Sequence, residues 1–218
     1  MTYIQAPADK RLVWYLAMEE YLAKQVEEEL FITWIVSPTV IFGRHQVMEA
    51  EVNVDFCRAN GIAMYRRKSG GGCVYADEGN LMMSMISPNK HSEVVFQQFL
   101  DKISDVLRHW GLPAVKSEHN DIMVEGKKVS GNACYALSTG TIVHGTMLVD
   151  VDLDMLQQAI TPSKEKLAKH GVKSVRQRVA NLARLVTNPQ LRTSTLVANR
   201  LSDALCLYQR ELTEQEIA

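Results

Sequence analysis

Apolar residues recur at helical spacing early in the chain and cluster in short strand-like runs soon after. Leu12–Val26 carries apolar residues on one helical face and ends in a polar stretch, which predicts an amphipathic helix. Two short apolar runs follow, Phe31–Val36 and Thr39–Phe42, separated by a Ser-Pro pair. They predict two strands joined by a turn. Val54–Asn60 then predicts a short helix that stops at a glycine.

The rest of the chain reads as a series of strands with helical regions between and after them. Val94–Trp110 has helical periodicity, and the pattern is helical again from Asp152 onward, with proline breaks after Thr161 and Asn188. Ser194–Tyr208 predicts a final helix. Strands are predicted at Ile62–Tyr65, Cys73–Tyr75, Leu81–Ile86, Ile122–Val124, Lys128–Val129, Ala133–Leu137 and Thr141–Val149.

This order of elements predicts an α+β fold with mixed or antiparallel sheets flanked by helices. Too few helices lie between the strands for a doubly wound parallel sheet. We expect a single domain over residues 1–218, in which 189–218 forms a closing helical segment.

The composition of the chain serves mainly to exclude classes of binding partner, cellular location and cysteine chemistry. Apolar residues make up 46% of the chain, and 24 Lys and Arg balance 25 Asp and Glu, so nothing in the charge favours nucleic-acid or membrane partners. The sequence has no long apolar run and no signal-peptide pattern, so we expect a cytoplasmic protein. Its four cysteines are widely spaced without a metal-ligand rhythm, which predicts reduced thiols in or near the core.

Three segments have residues suited to chemistry. Arg66–Gly72 places three cations before three glycines, a pattern that suits close backbone approach to an anion, or simply a flexible turn with solvated charges. Lys128 follows a predicted hairpin turn at Gly126, where it could contact a phosphate or lie on the surface. His144 sits in a strongly apolar strand, where a satisfied core histidine is the ordinary interpretation. The sequence has neither a P-loop nor a dinucleotide fingerprint.

Taken in order, these segments resemble the lipoate–protein ligase family. RRKSGGGCVYADEGNL (66–81) resembles the family's signature loop, and NDIMVEGKKVSGNA (120–133) resembles its second loop, with a lysine before the Ser-Gly pair. HGTMLVDVDL (144–153) and KLAKHGVKSVRQRVANL (166–182) resemble the following strand and the tail of the large domain. With LAMEE (16–20) and the stretch from Trp34 to Gly43-Arg44, the resemblance covers about residues 10–186.

The resemblance implies a biotin/lipoate ligase-like fold and roles for individual residues. Lys128 matches the catalytic lysine, which would offset the repulsion between an acyl carboxylate and the α-phosphate of ATP. Asp121 is also a tentative ligand for Mg²⁺. The residues implied to bind the nucleotide or adenylate are Arg67, Ser69, Gly70, Gly71, Gly72, Tyr75, Asn120 and Asp121. The residues implied to surround the lipoyl group are Leu16, Glu19, Trp34, His144, Gly131 and Ala133.

The activity implied by the resemblance has two steps. Lipoic acid and ATP, with Mg²⁺, give lipoyl-AMP and pyrophosphate; a lysine of an acceptor domain then takes the lipoyl group and releases AMP. The implied acceptors are E2 subunits of 2-oxoacid dehydrogenases and the glycine cleavage H protein.

The sequence departs from the family pattern at two points. Ala76 stands where the family usually has histidine. The small C-terminal domain of many ligases is not seen, and we expect it to be absent, as a separate polypeptide, a truncated tail or a domain that is unnecessary here. If that domain is needed for adenylation, this chain alone would only transfer from pre-formed lipoyl-AMP.

Two other functions stay open. An octanoyltransferase or lipoyl amidotransferase of the same superfamily would need a catalytic cysteine before the second-loop strand, and residues 116–121 contain none. A non-catalytic binder of lipoate or its adenylate is disfavoured by the presence of Arg67, Lys128 and the glycine run.

Overall fold

A computed structural model of the chain describes residues 1–118, 120–161 and 174–217. Within them an eight-stranded mixed sheet runs in the order β11-β1-β2-β6-β10-β9-β8-β7, and a three-stranded sheet runs in the order β4-β3-β5. The strands are β1 (Thr2–Gln5), β2 (Leu30–Trp34), β3 (Thr39–Phe42), β4 (Ala63–Arg66), β5 (Val74–Ala76), β6 (Asn80–Ser87), β7 (Ala114–Lys116), β8 (Asp121–Val124), β9 (Lys127–Ala136), β10 (Thr141–Leu148) and β11 (Tyr208–Glu211).

Helices cover both faces of the large sheet, which confirms the predicted α+β class. Two 3-10 turns, Leu182–Arg184 and Pro189–Leu191, precede the last long helix. The helices are α1 (Leu12–Lys24), α2 (Met48–Glu51), α3 (Val54–Ala59), α4 (Ser92–His109), α5 (Leu153–Ala159), α6 (Val175–Arg178), α7 (Ser194–Leu205) and α8 (Glu214–Ile217).

Side chains that alternate along the central strands pack into two separate hydrophobic cores. Phe31 and Met83 point to the side covered by α4 and α7, whereas Ile32 and Met82 point to the side covered by α1. Because both faces of these strands are covered, every residue of β2, β6 and β10 is buried. A third core lies between the small sheet and helices α3, α5 and α6.

The predicted pairing of the first two strands is wrong. β2 pairs with β1 and β6 in the large sheet, whereas β3 pairs with β4 and β5 in the small one. The chain therefore passes between sheets at the Ser-Pro pair instead of folding back into a hairpin. This crossing brings the small sheet against the α1 side of the large sheet, where the candidate site lies.

Three further boundaries differ from the sequence pattern. Lys128–Val129 and Ala133–Ala136 belong to one strand, β9, because Gly131 and Asn132 continue the ladder with β10, and the strand ends one residue before the predicted Leu137. The last long helix ends at Leu205, and the predicted closing helical segment contains β11, which pairs in parallel with β1. The helical prediction for 162–173 lies outside the described residues.

The single-domain organisation remains a prediction. No described helix combines the length and the apolar character needed to cross a membrane.

Candidate active site

A cavity of about 420 Å³ lies between the two sheets and is bordered by α1, α5 and α6. It brings together most of the residues singled out in the sequence. Those that line it are Leu16, Trp34, Arg67, Gly71, Gly72, Tyr75, Asn120, Asp121, Lys128, Gly131, Ala133 and His144. Glu19, Ser69 and Gly70 do not line it: Glu19 and Ser69 contact His144 from behind, and the carbonyl of Gly70 accepts from Arg67.

The cavity is elongated along β10. His144, Thr146 and Leu148 all line it from the same face of that strand, and at about 3.3 Å per residue the first and last lie roughly 13 Å apart. β9 follows the same direction, since Ala133 pairs with His144 and Gly131 with Thr146. The cavity therefore has two ends, a His144 end and a Leu148 end.

Apolar side chains line the cavity beneath α1 and at its Leu148 end. Leu16, Trp34 and Met82 belong to the core beneath α1, and the strand register places Trp34 and Met82 level with Thr146, two residues from His144. At the Leu148 end the wall comes from the third core, through Tyr75, Leu148, Leu156, Ile160, Val175 and Val179.

A buried chain of hydrogen bonds backs the His144 end. Ser69 Oγ lies 2.6 Å from His144 Nε2, and His144 Nδ1 lies 3.2 Å from Glu19 Oε2. Ser84 donates to the second oxygen of Glu19. Glu19 and Ser84 are wholly inaccessible to solvent, so this carboxylate depends entirely on partners inside the fold.

The direction of this chain follows from its first member. Arg67 Nε donates to Ser69 Oγ at 3.0 Å, so the proton of Ser69 points to His144 Nε2 and His144 Nδ1 donates to Glu19. A buried cation, Arg67, is thus linked to a buried carboxylate, Glu19, through two intermediate side chains. This series of hydrogen bonds connects the glycine loop to α1 behind the His144 end of the cavity.

Arg67 also holds the glycine loop in shape. Its Nη2 donates to the carbonyls of Gly70 at 2.7 Å and Gly72 at 2.8 Å, and its Nη1 donates to Ile41 at 3.1 Å. Burial lowers the pKa of Arg67, while Cys73 raises it. Gly71 adopts a φ of 91°, which a residue with a side chain rarely does. The loop is thus built around a guanidinium that faces carbonyl oxygens.

Lys128 lies midway along the cavity in an ion-paired trio. Its Nζ is 2.8 Å from Asp121 Oδ1, and Arg178 Nη2 is 2.5 Å from Asp121 Oδ2. Burial lowers the pKa of Lys128 most, Asp121 raises it, and Arg178 and Arg67 lower it further. The trio puts two cations and one carboxylate on the cavity wall, an excess of positive charge suited to an anionic ligand.

Gly131 makes the position of Lys128 possible. A Cβ atom added at Gly131 would lie 2.6 Å from Lys128 Cε and closer still to its Nζ. Any larger residue would therefore push the lysine side chain off the wall. The Ser-Gly pair after the lysine thus has a steric reason.

Asn120 and Tyr75, both predicted to bind the nucleotide, are held in different ways. Asn120 has a φ of 66°, and its carbonyl accepts a bond from Asn132 Nδ2 at 3.0 Å, which closes the loop before β8. The Tyr75 side chain is buried, and burial followed by the nearby Asp77 raises its pKa. Ala76, where a histidine was expected, is fully buried in the core beneath α1.

The sequence analysis gave no role to five polar residues of the site, which are Glu51, Ser84, Asn132, Thr146 and Arg178. Arg178 belongs to the 166–182 segment, of which 166–173 lie outside the described residues; the resemblance of that segment was the available signal, although it assigned no role to the arginine. Ser84 gives no signal in the sequence, because one serine in an apolar strand looks like an ordinary core position.

The cysteines and acidic residues narrow the possible chemistry. Cys73 lines the cavity, whereas burial raises the pKa of Cys57 and Cys134 and raises that of Cys206 to about 11. Thiols with a raised pKa are poor nucleophiles. Among the residues that the structure describes, no group of three or more His, Cys, Asp and Glu side chains could hold a metal ion.

Comparison with known proteins identifies relatives over nearly the whole chain. Residues 13–205 match the family described as the lipoyl protein ligase A/B catalytic domain. The chain is 40% identical over 177 residues to lipoate–protein ligase 1 of Staphylococcus aureus, and 37% identical over 171 residues to lipoate–protein ligase LplJ of Bacillus subtilis. These matches cover 80% and 77% of this chain but 54% and 52% of the relatives, so the chain spans about half of their length.

Solved structures of similar fold match this chain over most of the length of both proteins. A lipoate protein ligase from Thermoplasma acidophilum with bound lipoic acid has a TM-score of 0.82 at 28% identity, with 99% of this chain and 90% of that one covered. A lipoate–protein ligase A bound with ATP has a TM-score of 0.83 at 27% identity, with the same coverage. A bi-partite lipoate protein ligase and its E2 lipoyl domain, also from Thermoplasma acidophilum, has a TM-score of 0.83 at 28% identity over 99% and 88%.

Proposed function

This chain belongs to the lipoyl protein ligase A/B catalytic-domain family, and on that premise we propose that it is an ATP-dependent lipoate–protein ligase. The observation that carries the proposal is the elongated cavity between the two sheets, in which an apolar wall beneath α1 leads past Lys128 and Arg178 to the apolar Leu148 end. Such a cavity fits an apolar acyl chain, a negatively charged reaction centre and a purine in that order.

The His144 end is proposed to hold the lipoyl group. Leu16 and Trp34 give apolar surface for an alkyl chain, and the buried chain behind His144 makes this wall rigid. Glu19 and Ser69 therefore act through His144 and not by direct contact. The Leu148 end then receives the adenine base against Tyr75, Leu156 and Val179.

Lys128 is proposed to carry the activation step. A carboxylate oxygen of lipoate attacks the α-phosphorus of ATP, the P–O bond to the β-phosphate breaks, and pyrophosphate leaves. Both reactants are anions, so the fixed ammonium of Lys128 offsets their repulsion and stabilises the charge of the transition state. Arg178 pairs with the same carboxylate as Lys128, Asp121, so it supplies a second cation near the phosphate.

The transfer step needs no enzyme nucleophile. A neutral lysine amine of the acceptor attacks the acyl carbon of lipoyl-AMP, the bond to the phosphate oxygen breaks, AMP leaves, and the amine loses one proton to water. Burial of the mixed anhydride between the two sheets protects it from hydrolysis.

Magnesium is proposed to enter with the phosphates of ATP and to neutralise their charge. The tentative ligand Asp121 has both oxygens on cations, Lys128 and Arg178, so its geometry fits an ion pair better than a metal ligand. We therefore assign no step to Mg²⁺ through this residue.

The partners are proposals of the same kind. Acceptors would be E2 subunits of 2-oxoacid dehydrogenases and the glycine cleavage H protein, which fits the E2 lipoyl domain described with the bi-partite ligase. We also propose a separate chain that carries a C-terminal domain, because the ligase from Thermoplasma acidophilum is described as bi-partite and this chain covers 88% of the solved ligase chain. We propose a cytoplasmic location because the reaction consumes ATP.

Lipoate-dependent exchange of pyrophosphate into ATP tests the proposal. A ligase gives exchange and then transfers lipoate to an E2 lipoyl domain. A transferase from pre-formed lipoyl-AMP gives transfer without exchange, a non-catalytic binder gives neither, and an acyltransferase gives a thioester on a cysteine such as Cys73 that mass spectrometry detects. Any of the last three results would replace the ligase assignment.

A further inference from the structure

A second cavity, of about 460 Å³, borders the same glycine loop and is strongly basic. It shares Arg67 with the substrate cavity and is lined by three more cations, Arg44, Arg66 and Lys68, by the carboxylate of Glu20 and by 135–137 at the end of β9. The chain as a whole has a net charge of −1, so this concentration of positive charge is local. None of the steps proposed above uses this cavity.

Most of its charge is held in place without being cancelled. Arg66 Nη1 donates to the carbonyls of Gly43, Arg44 and Gln46 at 3.1, 3.1 and 2.7 Å, and its guanidinium lies 4.5 Å from the ring centre of Phe42. Carbonyl oxygens fix a guanidinium but carry no net charge. The one carboxylate of the cavity, Glu20, pairs with Lys68 at 2.5 Å. Arg67 is linked to Glu19 through Ser69 and His144, so a surplus of two positive charges, on Arg44 and Arg66, remains in the cavity.

Three of these cations, Arg44, Arg66 and Lys68, are exposed to solvent, and the Lys68 side chain is 71% exposed. Tyr135 and Leu137 are half-buried beside them. Charged groups at a rim with an aromatic and an aliphatic side chain next to them suit contact with another protein surface.

We propose that this basic cavity docks a carboxylate-bearing face of the lipoyl-acceptor domain beside its target lysine; the inference rests on the proposed ligase function. The acceptor lysine is a cation until it loses a proton, and it must approach a site that already holds Arg67, Lys128 and Arg178. Carboxylates next to that lysine would be attracted to Arg44 and Lys68 and would offset the repulsion. Attraction between exposed charges also speeds and orients the encounter.

An alternative occupant of the cavity is the triphosphate of ATP. The structure favours the acceptor, because Lys128 and Arg178 already supply cations inside the substrate cavity, whereas Arg44 and Lys68 face outward. The choice has a kinetic signature: the acceptor enters only the second half-reaction, and ATP enters only the first.

Charge reversal at the rim tests the inference. The variants are Arg44→Glu, Lys68→Glu and the double variant, with Arg44→Gln to separate charge from shape and Arg200→Glu on the exposed side of α7 as the matched control. Transfer is measured to a purified E2 lipoyl domain and, separately, to hydroxylamine, a small uncharged nucleophile. Binding of the lipoyl domain is measured directly by titration calorimetry.

We expect the KM for the lipoyl domain to rise about tenfold in each reversal and about a hundredfold in the double variant, with weaker binding in the same order. Arg44→Gln should lie between wild type and Arg44→Glu. Pyrophosphate exchange, hydroxamate formation and the Arg200→Glu control should stay within about twofold of wild type, and added salt should weaken acceptor binding in wild type more than in the double variant.

An unchanged acceptor KM in the double variant would overturn the inference, as would an equal rise in the KM for ATP, which would assign the cavity to the triphosphate. These outcomes are distinct from failure of the proposed function. In that case the wild-type protein itself would show no lipoate-dependent exchange, no hydroxamate and no binding of the lipoyl domain.

Discussion

Two polar clusters lie along the same cavity and are built on opposite principles. In the cluster at the His144 end, Arg67, Ser69, His144, Glu19 and Ser84 satisfy one another in a buried chain. In the cluster midway along the cavity, Lys128 and Arg178 share the carboxylate of Asp121. The first cluster is closed, whereas the second presents cations to the cavity.

The two clusters therefore have different roles: the first fixes the shape of the cavity wall, and the second takes part in the reaction. A closed chain whose charges are internally compensated cannot gain much by binding an anion, so it fixes the wall and the glycine loop. A trio with surplus positive charge gains when an anionic group arrives, and it is therefore placed where charge changes during the reaction. Mutations in the first cluster should act mainly on stability and on lipoate binding, and those in the second on the rate of activation.

The largest effect is expected for Lys128→Ala. Removing the cation at the reaction centre should lower lipoate-dependent pyrophosphate exchange about a thousandfold, while the melting temperature changes little. The control is Lys127→Ala, because this neighbouring lysine is exposed and should behave like wild type. Exchange within about tenfold of wild type in a folded Lys128→Ala protein would remove Lys128 from its proposed role.

The next effect is expected at Glu19. Replacing this buried carboxylate by alanine leaves His144 and Ser84 without their partner, so we expect a loss of about 3 kcal/mol in the free energy of unfolding. Glu19→Gln keeps one acceptor and should lose less. Chemical denaturation measures both variants, and exchange assays should show a larger change in KM for lipoate than in kcat. If Glu19→Ala unfolds at the wild-type denaturant concentration, the closed chain does not support the fold.

Gly131→Ala tests the second cluster without removing any of its members. The added methyl would collide with Lys128 Cε and Nζ, so the lysine must leave the wall. We expect pyrophosphate exchange to fall about tenfold or more with stability nearly unchanged, since the contact is the far end of a flexible side chain. Wild-type exchange rates in this variant would show that the lysine position is not critical.

Much of this contrast could not be seen in the sequence. The resemblance of residues 66–81 and 120–133 to one family identified the lysine and the glycine loop, because those residues are close together in each motif, and the matches around Leu16, Trp34 and His144 pointed to the acyl-binding side chains. It could not show that Ser69 and Glu19 lie behind the cavity, since that follows from where α1 crosses β10. Ser84 was missed for the same reason.

The errors in the fold have a similar origin. The Ser-Pro pair after β2 signals a turn, but a local signal does not say which sheet the next strand joins. β11 was predicted as part of the closing helical segment, because a four-residue strand at the edge of a sheet has little periodicity to detect. Long, strongly patterned elements such as α4 were predicted to within two residues.

The pH dependence of activation sharpens the contrast further. Burial lowers the pKa of Lys128, so its charge is lost at a lower pH than that of a free lysine, and exchange should decline as pH rises through that value. Over the same range the unfolded chain holds the extra proton, so this group makes the free energy of unfolding increase with pH. Lys128→Arg keeps its charge throughout and should show lower exchange without the alkaline decline. The same decline in both proteins would assign it to another group.

The smallest effect is expected at Trp34, a residue of the cavity wall whose indole N–H lacks a hydrogen-bond partner among the described residues. The indole Nε1 is buried and has no hydrogen-bond partner among the described residues, while its ring stacks on Tyr15 at 5.3 Å. The sulfur atoms at the far end of a lipoyl group are weak acceptors, whereas octanoate ends in a methyl group. Trp34→Phe keeps an aromatic ring and removes the donor. We expect the KM for lipoate to rise about threefold and the KM for octanoate to stay near wild type, because a weak hydrogen bond is worth less than about 1 kcal/mol. Exchange assays with each acid measure the ratio, and Trp14→Phe is the control because Trp14 does not line the cavity. Equal changes for the two acids would mean that Trp34 contributes apolar surface alone, and that selection between them occurs elsewhere on the wall.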